Sequence, residues 1–214
     1  MSPFTDLRVK EYLDGTDLLN ACTSNPGLEL QRFSTFASNL GPQEEIKYTV
    51  LRRGSGYEER LYPSKNWLCT EQKGINGNED QIQVFLRLFD YLGGENDQNR
   101  KLKMGIPASI EYKVRAEGKV YLACFFLEEK DQSDYPTPTN KDVFITRRPE
   151  MTVFTRKFGG YATTESTWMA EADSLRTLLK LAGENTQSDT MYWNAYNSPV
   201  KFWNRRNEVW LLKE

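Results

Sequence analysis

The chain has 214 residues, a formal net charge of −2 and no histidine. Histidine is the commonest general base and metal ligand, so its absence excludes Ser–His and Cys–His catalysis and histidine zinc sites. With nearly balanced charges the protein lacks the positive electrostatic field that non-specific nucleic-acid binding needs, so we expect no nucleic-acid partner. Hydrophobic residues make up 38% and aromatic residues 13% of the chain, which is enough for one domain with a sizeable core.

The three cysteines, Cys22, Cys69 and Cys124, lie far apart and form no CxxC pair. Their odd number argues against a complete disulfide framework, and we expect the reduced, buried thiols of a cytoplasmic protein. The N-terminus lacks the basic-then-apolar pattern of a signal peptide. No apolar run approaches the ~18 residues that span a bilayer. Secretion after removal of a leader stays open as an alternative.

The first half of the chain predicts strands followed by one helix. Residues 1–45 are polar and irregular, and we expect an extension packed on a main domain of residues 46–214. Strand patterns follow at 46–51, 57–62 and 66–70. Asn78 can cap a helix that Gly93 and Gly94 end. Its apolar residues recur at helical spacing, namely Ile82, Phe85, Leu86, Phe89 and Leu92.

The second half repeats this order. Strands are predicted at 108–115, 119–127, 143–146 and 152–158, and a helix at about 166–181 that Gly183 ends. A strand at 190–196, a loop at 197–207 and a strand at 208–212 close the chain. Two strand-rich halves, each with one amphipathic helix, predict an α+β fold: a pseudo-twofold barrel or a curved sheet flanked by two α-helices.

Several motifs carry a family resemblance. They are Tyr57-Glu58-Glu59-Arg60, Pro149-Glu150-Met151-Thr152-Val153-Phe154, Phe158-Gly159-Gly160-Tyr161-Ala162 and the tail 196–201 with 204–212. Over roughly residues 46–213 the chain resembles the SOUL/haem-binding protein family. The resemblance implies a distorted antiparallel β-barrel of pseudo-twofold repeats. It also implies non-enzymatic, non-covalent binding of a planar hydrophobic ligand, a tetrapyrrole such as haem, porphyrin or bilin. The groove would lie between the first helix and the loop before the last strand.

The chain departs from the family where charged or coordinating groups would meet the ligand. One branch has an axial histidine at the position of Leu61. In the other branch, basic residues of the first helix occupy the positions of Ile82 and Asp90, whereas Lys201 matches a family lysine. The resemblance therefore implies a ligand held without histidine ligation. Metal-free porphyrin or bilin is then favoured over coordinated haem.

The candidate ligand-binding residues lie on the first helix and in the last loop: Ile82, Phe85, Leu86, Phe89, Lys201, Trp203 and Arg205. The helix residues can stack on a planar ligand, although the same stripe could simply bury the helix against the sheet. Lys201 or Arg205 can meet a carboxylate, and a solvated turn is the alternative. We predict no catalytic residue and no metal ligand.

Two other functions stay open. One is a protein-interaction module that has lost tetrapyrrole binding, and it fits the missing cations at Ile82 and Asp90. The other is an enzyme that acts on a ligand in the same groove, with Tyr62 as the residue to test.

Overall fold

The structure is a computed structural model that describes residues 41–73, 78–116, 118–198, 201 and 203–214. For residue 73 and residues 78–83 it describes the backbone alone. The predicted packing of residues 1–40 on the domain lies outside the described residues and stays a prediction. Glu44 and Glu45, just inside them, do contact the domain: Glu44 accepts a hydrogen bond from the Glu129 amide at 3.0 Å, and Glu45 pairs with Arg206 at 2.8 Å.

Within this part of the chain, nine strands and two helices follow in the predicted order. The strands are β1 Thr49–Gly54, β2 Tyr57–Tyr62, β3 Lys65–Lys73, β4 Met104–Arg115, β5 Gly118–Leu127, β6 Val143–Arg148, β7 Met151–Phe158, β8 Thr186–Ala195 and β9 Asn207–Lys213; the helices are α1 Asn78–Leu92 and α2 Glu165–Leu181. The first strand begins later than predicted, because the Ile46 amide donates to the Ile106 carbonyl at 3.0 Å instead of to a neighbour of β1.

The strands form one antiparallel sheet with the order β1-β2-β7-β9-β8-β4-β5-β3-β6. The edge strands β1 and β6 do not pair with each other, so the sheet stays open. Tyr62 of β2 and Trp67 of β3 belong to one buried cluster, although five strands separate β2 from β3 in the sheet order. The face that carries them must therefore be the inside of the curve. The α+β, barrel-like fold is confirmed.

Side chains alternate between the two faces of each strand, and the strand residues that contact the helices alternate with those of the inner cluster. Both helices therefore cover the outer face of the sheet. α2 buries Trp168, Ala172, Leu175 and Leu179 against the β7, β8 and β9 region. α1 packs on the other half of the sheet, over β3, β5 and β6. No helix of the described residues is long and apolar enough to cross a membrane.

Two cysteines on the inner face form a disulfide. Cys69 of β3 and Cys124 of β5 are direct partners in the strand register, and their sulfur atoms are 2.07 Å apart. Both residues are fully buried in the inner cluster. The prediction of reduced thiols is therefore wrong for this pair. The two cysteines are 55 positions apart, and no local sequence pattern indicates that they pair. The register of β3 against β5 brings them together. Cys22 lies outside the described residues.

The inner face also holds a fully buried carboxylate. Glu208 accepts hydrogen bonds from Arg60 Nη1 at 2.9 Å, Tyr196 Oη at 2.8 Å and Trp210 Nε1 at 2.9 Å. Its second oxygen accepts from Arg206 Nε at 2.9 Å. Burial alone would raise the pKa of the Glu208 carboxyl, but the two guanidinium groups outweigh burial and hold that pKa below its usual value. This hub ties β2, β9 and the residue that follows β8, Tyr196, together inside the fold.

Candidate functional site

Helix α1 presents an apolar surface wider than its contact with the sheet. Val84 and Leu88 point into the core, and Leu88 has no exposed surface. Phe85 and Phe89 lie on the shoulder of that face and are only half-buried. Their rings contact Phe125 of β5, with centroids 5.6 and 5.0 Å away. Each of these two residues thus keeps part of its surface exposed.

The predicted stripe of α1 covers only part of the buried face. Leu92 of the stripe lies in the core cluster, and Phe85 and Phe89 pack against it. Val84, Leu88 and Tyr91 also make the core contact, although the stripe left them out. Eight of the eleven positions after the first turn are apolar, so the apolar surface is wider than one stripe. Leu86 of the predicted set is itself buried, and the Ile82 side chain lies outside the described part of the structure.

A strip of half-buried apolar residues lies between the two helices on the outer face. Ile110 of β4 packs against both the α1 and the α2 core clusters, and Ala108 packs against that of α1. Both are half-buried, as are Phe85 and Phe89. We call these four residues the interhelix valley. The two phenyl rings and the apolar side chains beside them suit a flat apolar ligand.

Stacked aromatic rings support the valley on the α2 side. Trp193 of β8 lies 6.0 Å from Trp168 of α2 at an interplanar angle of 7°. Trp193 also stacks on Tyr112 of β4 at 5.1 Å and 20°. Trp193 and Tyr112 were not predicted from the sequence, because their stacking depends on the pairing of β4 with β8.

The described residues of the loop before β9, namely 197, 198, 201 and 203–206, are called the rim loop. It begins at the end of the valley, because Ala195 of β8 is the register partner of Ala108. Lys201 in this loop is half-buried. Among the described residues, no acceptor lies within hydrogen-bond range of its ammonium group. Trp203 has 75% of its surface exposed. The structure therefore brings Phe85, Phe89 and the root of the rim loop to one region of the outer face.

Arg205 is engaged inside the rim loop. Its guanidinium donates to the carbonyls of Ser198 at 2.7 Å, Lys201 at 2.8 Å and Asn197 at 3.2 Å. It also lies 4.3 Å over the ring of Tyr161. The expected contact of Arg205 with a ligand carboxylate stays a prediction, and the structure gives this side chain partners within the protein.

A second concave region lies at the C-terminal end of α2. It is an open depression of about 390 Å³, and charged side chains supply much of its lining: Arg176, Lys180, Glu184 and Glu214. It has no aromatic wall and lies away from the rim loop. Its chemistry does not match a flat apolar ligand.

The model of the SOUL heme-binding protein family matches residues 43–212. The chain belongs to this family. Heme-binding protein 2 of Homo sapiens is 32% identical over 162 residues, which cover 74% of this chain and 78% of that protein. Heme-binding protein 1 of Mus musculus is 31% identical over 183 residues, which cover 82% of this chain and 96% of that protein. The family resemblance found in the sequence is confirmed.

Solved structures share the fold at low identity. The C-terminal domain of EcmrR matches with a TM-score of 0.55 and 9% identity, over 78% of this chain and 98% of that domain. A hydrolase from Listeria innocua matches with a TM-score of 0.51 and 10% identity, over 79% of this chain and 98% of that one. At these identities the likeness concerns the fold alone.

Haem coordinated by histidine, or by a cysteine thiolate of the described residues, does not fit this SOUL chain. Leu61, at the position of the family histidine, has no donor atom, and the chain contains no histidine. The two described cysteines are joined to each other. Leu61 also lies on β2, and four strands separate β2 from β5 in the sheet order. Helix α1, in contrast, packs over β5. The residues present fit a planar ligand held by stacking, without a bond to a metal.

Tyr62 is equally unsuited to act as a phenolate. It is fully buried, and its ring stacks on Trp210 at 4.2 Å. Its hydroxyl oxygen accepts a hydrogen bond from Arg60 at 3.1 Å. Burial raises the pKa of Tyr62 far above its usual value. The neutral, enclosed hydroxyl offers no support for ligand chemistry at this position.

Proposed function

We propose that this SOUL protein is a non-enzymatic carrier or sensor that binds a tetrapyrrole in the interhelix valley without histidine ligation. The observation that carries the proposal is the half-buried state of Phe85 and Phe89 beside Ile110. Both residues flank the buried face of α1 and keep part of their surface exposed. A flat partner could stack on that exposed surface.

The rim loop supplies the polar contact that such a ligand needs. A tetrapyrrole carries carboxylates at one edge, and the ammonium of Lys201 has no acceptor among the described residues. A charge-assisted hydrogen bond from this ammonium would orient the ligand with its acidic edge toward the loop. The exposed Trp203 can cover the ring edge from the same loop.

Because the protein offers no axial histidine, affinity should follow the area and shape of the ring and not its metal. We therefore expect haemin, protoporphyrin and biliverdin each to bind saturably, with dissociation constants tighter than ~10 µM. Absorbance and tryptophan quenching give the isotherms. Haemin and protoporphyrin should agree within a few-fold. Failure of all three to bind would reject the function, and a large preference for haemin would reject binding without coordination.

The variant Phe85→Leu with Phe89→Leu tests the valley directly. Leucine keeps apolar volume against Phe125 but removes the flat rings. Each stacked aromatic pair contributes about 0.5–1.5 kcal/mol beyond burial, so binding should weaken about tenfold or more. Phe144→Leu on β6 is the matched control, since Phe144 is a partly exposed aromatic, at 39%, outside the valley. Unchanged affinity in the double variant would place the site elsewhere.

A protein-interaction module is the second candidate. The aromatic surface of the rim favours it, because Trp203 and Tyr161 expose 75% and 42% of their surfaces. Such a surface is typical of a protein contact centre. If no tetrapyrrole binds while Trp203→Ala abolishes association with a purified partner, this function replaces the first.

We infer an oxidising compartment in place of the cytoplasm expected from reduced thiols. The Cys69–Cys124 disulfide removes the basis of the cytoplasmic prediction, because reducing compartments keep such pairs as thiols. Counting free thiols in protein from its native source tests this inference.

A further inference from the structure

Two motifs that are far apart in the sequence meet at the rim loop. Gly159-Gly160-Tyr161 follows β7, and Arg205 precedes β9. The Tyr161 hydroxyl donates to the Lys201 carbonyl at 3.2 Å, and the Tyr161 ring lies under the Arg205 guanidinium. The segment after β7 and the rim loop therefore form one structural unit.

The ends of the rim loop are closed by hydrogen bonds. The Tyr196 amide donates to the Arg206 carbonyl at 3.1 Å. The Arg206 amide donates to Asn197 Oδ1 at 2.6 Å. The Asn207 side chain donates to the Gly160 carbonyl at 3.0 Å. With both ends held, the conformation of the segment between them depends on what binds its inner carbonyls.

Arg205 binds more of those carbonyls than any other described side chain. Three loop carbonyls, from Asn197, Ser198 and Lys201, converge on one guanidinium. A planar fork with several N–H donors can serve them at once and stack on Tyr161 at the same time. A lysine ammonium keeps the charge but cannot reproduce this arrangement.

We propose that Arg205, supported by Tyr161, is a positioning residue that sets the rim loop and thereby places Lys201 at the end of the interhelix valley. The affinity part rests on the proposed function, since it concerns the ligand bound there. The role of Arg205 in loop order does not depend on any ligand. The family cation at this rim is Lys201, and Arg205 acts through it.

The experiment compares Arg205→Lys and Arg205→Gln in two measurements on the full chain. The first is amide exchange of Lys201 and Arg206 without ligand. The second is the titration with haemin and protoporphyrin. We expect about tenfold faster exchange or more in both variants, since each lost hydrogen bond lowers local stability. Affinity should fall to a similar extent in both. Arg53→Lys is the control, because Arg53 pairs with Glu58 on the β1–β2 hairpin.

Two further variants separate order from charge. Tyr161→Phe removes the hydrogen bond to the Lys201 carbonyl but keeps the ring, so exchange should quicken less than in Arg205→Lys. Lys201→Gln should weaken binding and leave exchange unchanged. If Arg205→Lys matches the wild type in both measurements while Arg205→Gln loses affinity, Arg205 is a direct ligand contact and the proposal is overturned. If neither pigment binds the wild type, the proposed function fails, and exchange alone still decides the role of Arg205 in the loop.

Discussion

Removing the Cys69–Cys124 disulfide should lower the stability of this protein strongly without changing its fold. The two cysteines face each other across paired strands, so the reduced thiols can occupy the same places. The bond closes a segment of 55 residues that contains α1 and β4. Reduction releases that segment in the unfolded chain and leaves the folded contacts in place.

The magnitude follows from the loop-closure entropy of the unfolded chain. For a closed segment of 55 residues, the polymer estimate gives about 4 kcal/mol at 25 °C as the loss in the free energy of unfolding. Urea unfolding with and without reductant measures this loss. Reduced wild type isolates the cross-link, whereas Cys69→Ala with Cys124→Ala adds the cost of two small cavities. Cys22→Ser, unfolded with and without the same reductant, is the matched control.

A thiol count checks the premise. The chain has three cysteines, and two are bonded to each other. Denatured monomer should therefore show one reactive thiol before reduction and three afterwards. Three thiols before reduction would refute the disulfide. A loss below about 1 kcal/mol on reduction would refute the entropic reasoning.

Two further changes probe the interior. Glu208→Gln should cost several kcal/mol, because it removes the buried carboxylate that Arg60 and Arg206 share and leaves Arg60 with the half-buried Glu58 as its carboxylate partner. Since the pKa of Glu208 is depressed in the folded state, the wild type keeps this stability above the ordinary pKa of 4.5 and loses it as the pH falls through the depressed value. When urea midpoints are measured from neutral to acid pH, the midpoint of the variant should fall less steeply with falling pH than that of the wild type. An equally steep fall in both proteins would contradict the role given to the Glu208 carboxylate. Gly105→Ala should cost about 1–3 kcal/mol, since its Cβ would lie 2.5 Å from Phe126 Cδ1 and 2.7 Å from the Phe126 carbonyl oxygen. Gly41→Ala, with nothing within 4 Å, should leave the thermal midpoint unchanged, and equal midpoints in both variants would contradict the clash.

The helices show how far local pattern reaches. Helix α2 spans Glu165–Leu181, within one residue of the prediction, because its cap at Thr164 and its stop near Gly183 are local signals. The buried face of α1 was predicted only in part, since eight of its eleven positions past the first turn are apolar and contact with β3 and β5 buries Val84 and Leu88 beside Leu92. The order of the elements was thus predictable, whereas the bounds of several strands and the full packed face of α1 were not.

The family, the α+β class, the succession of strands and helices and the absence of histidine were all determined by the sequence. The tertiary structure decided which distant residues meet. Strand register brought Cys69 to Cys124, the β4–β8 pairing made the floor of the valley, and the turn after β7 placed Tyr161 under Arg205. These contacts depend on pairing between segments tens of residues apart, and no local period or motif encodes such a partner. For the same reason, the contacts of Arg205 with the loop carbonyls were not predictable from the sequence, and its predicted contact with a ligand stays a prediction.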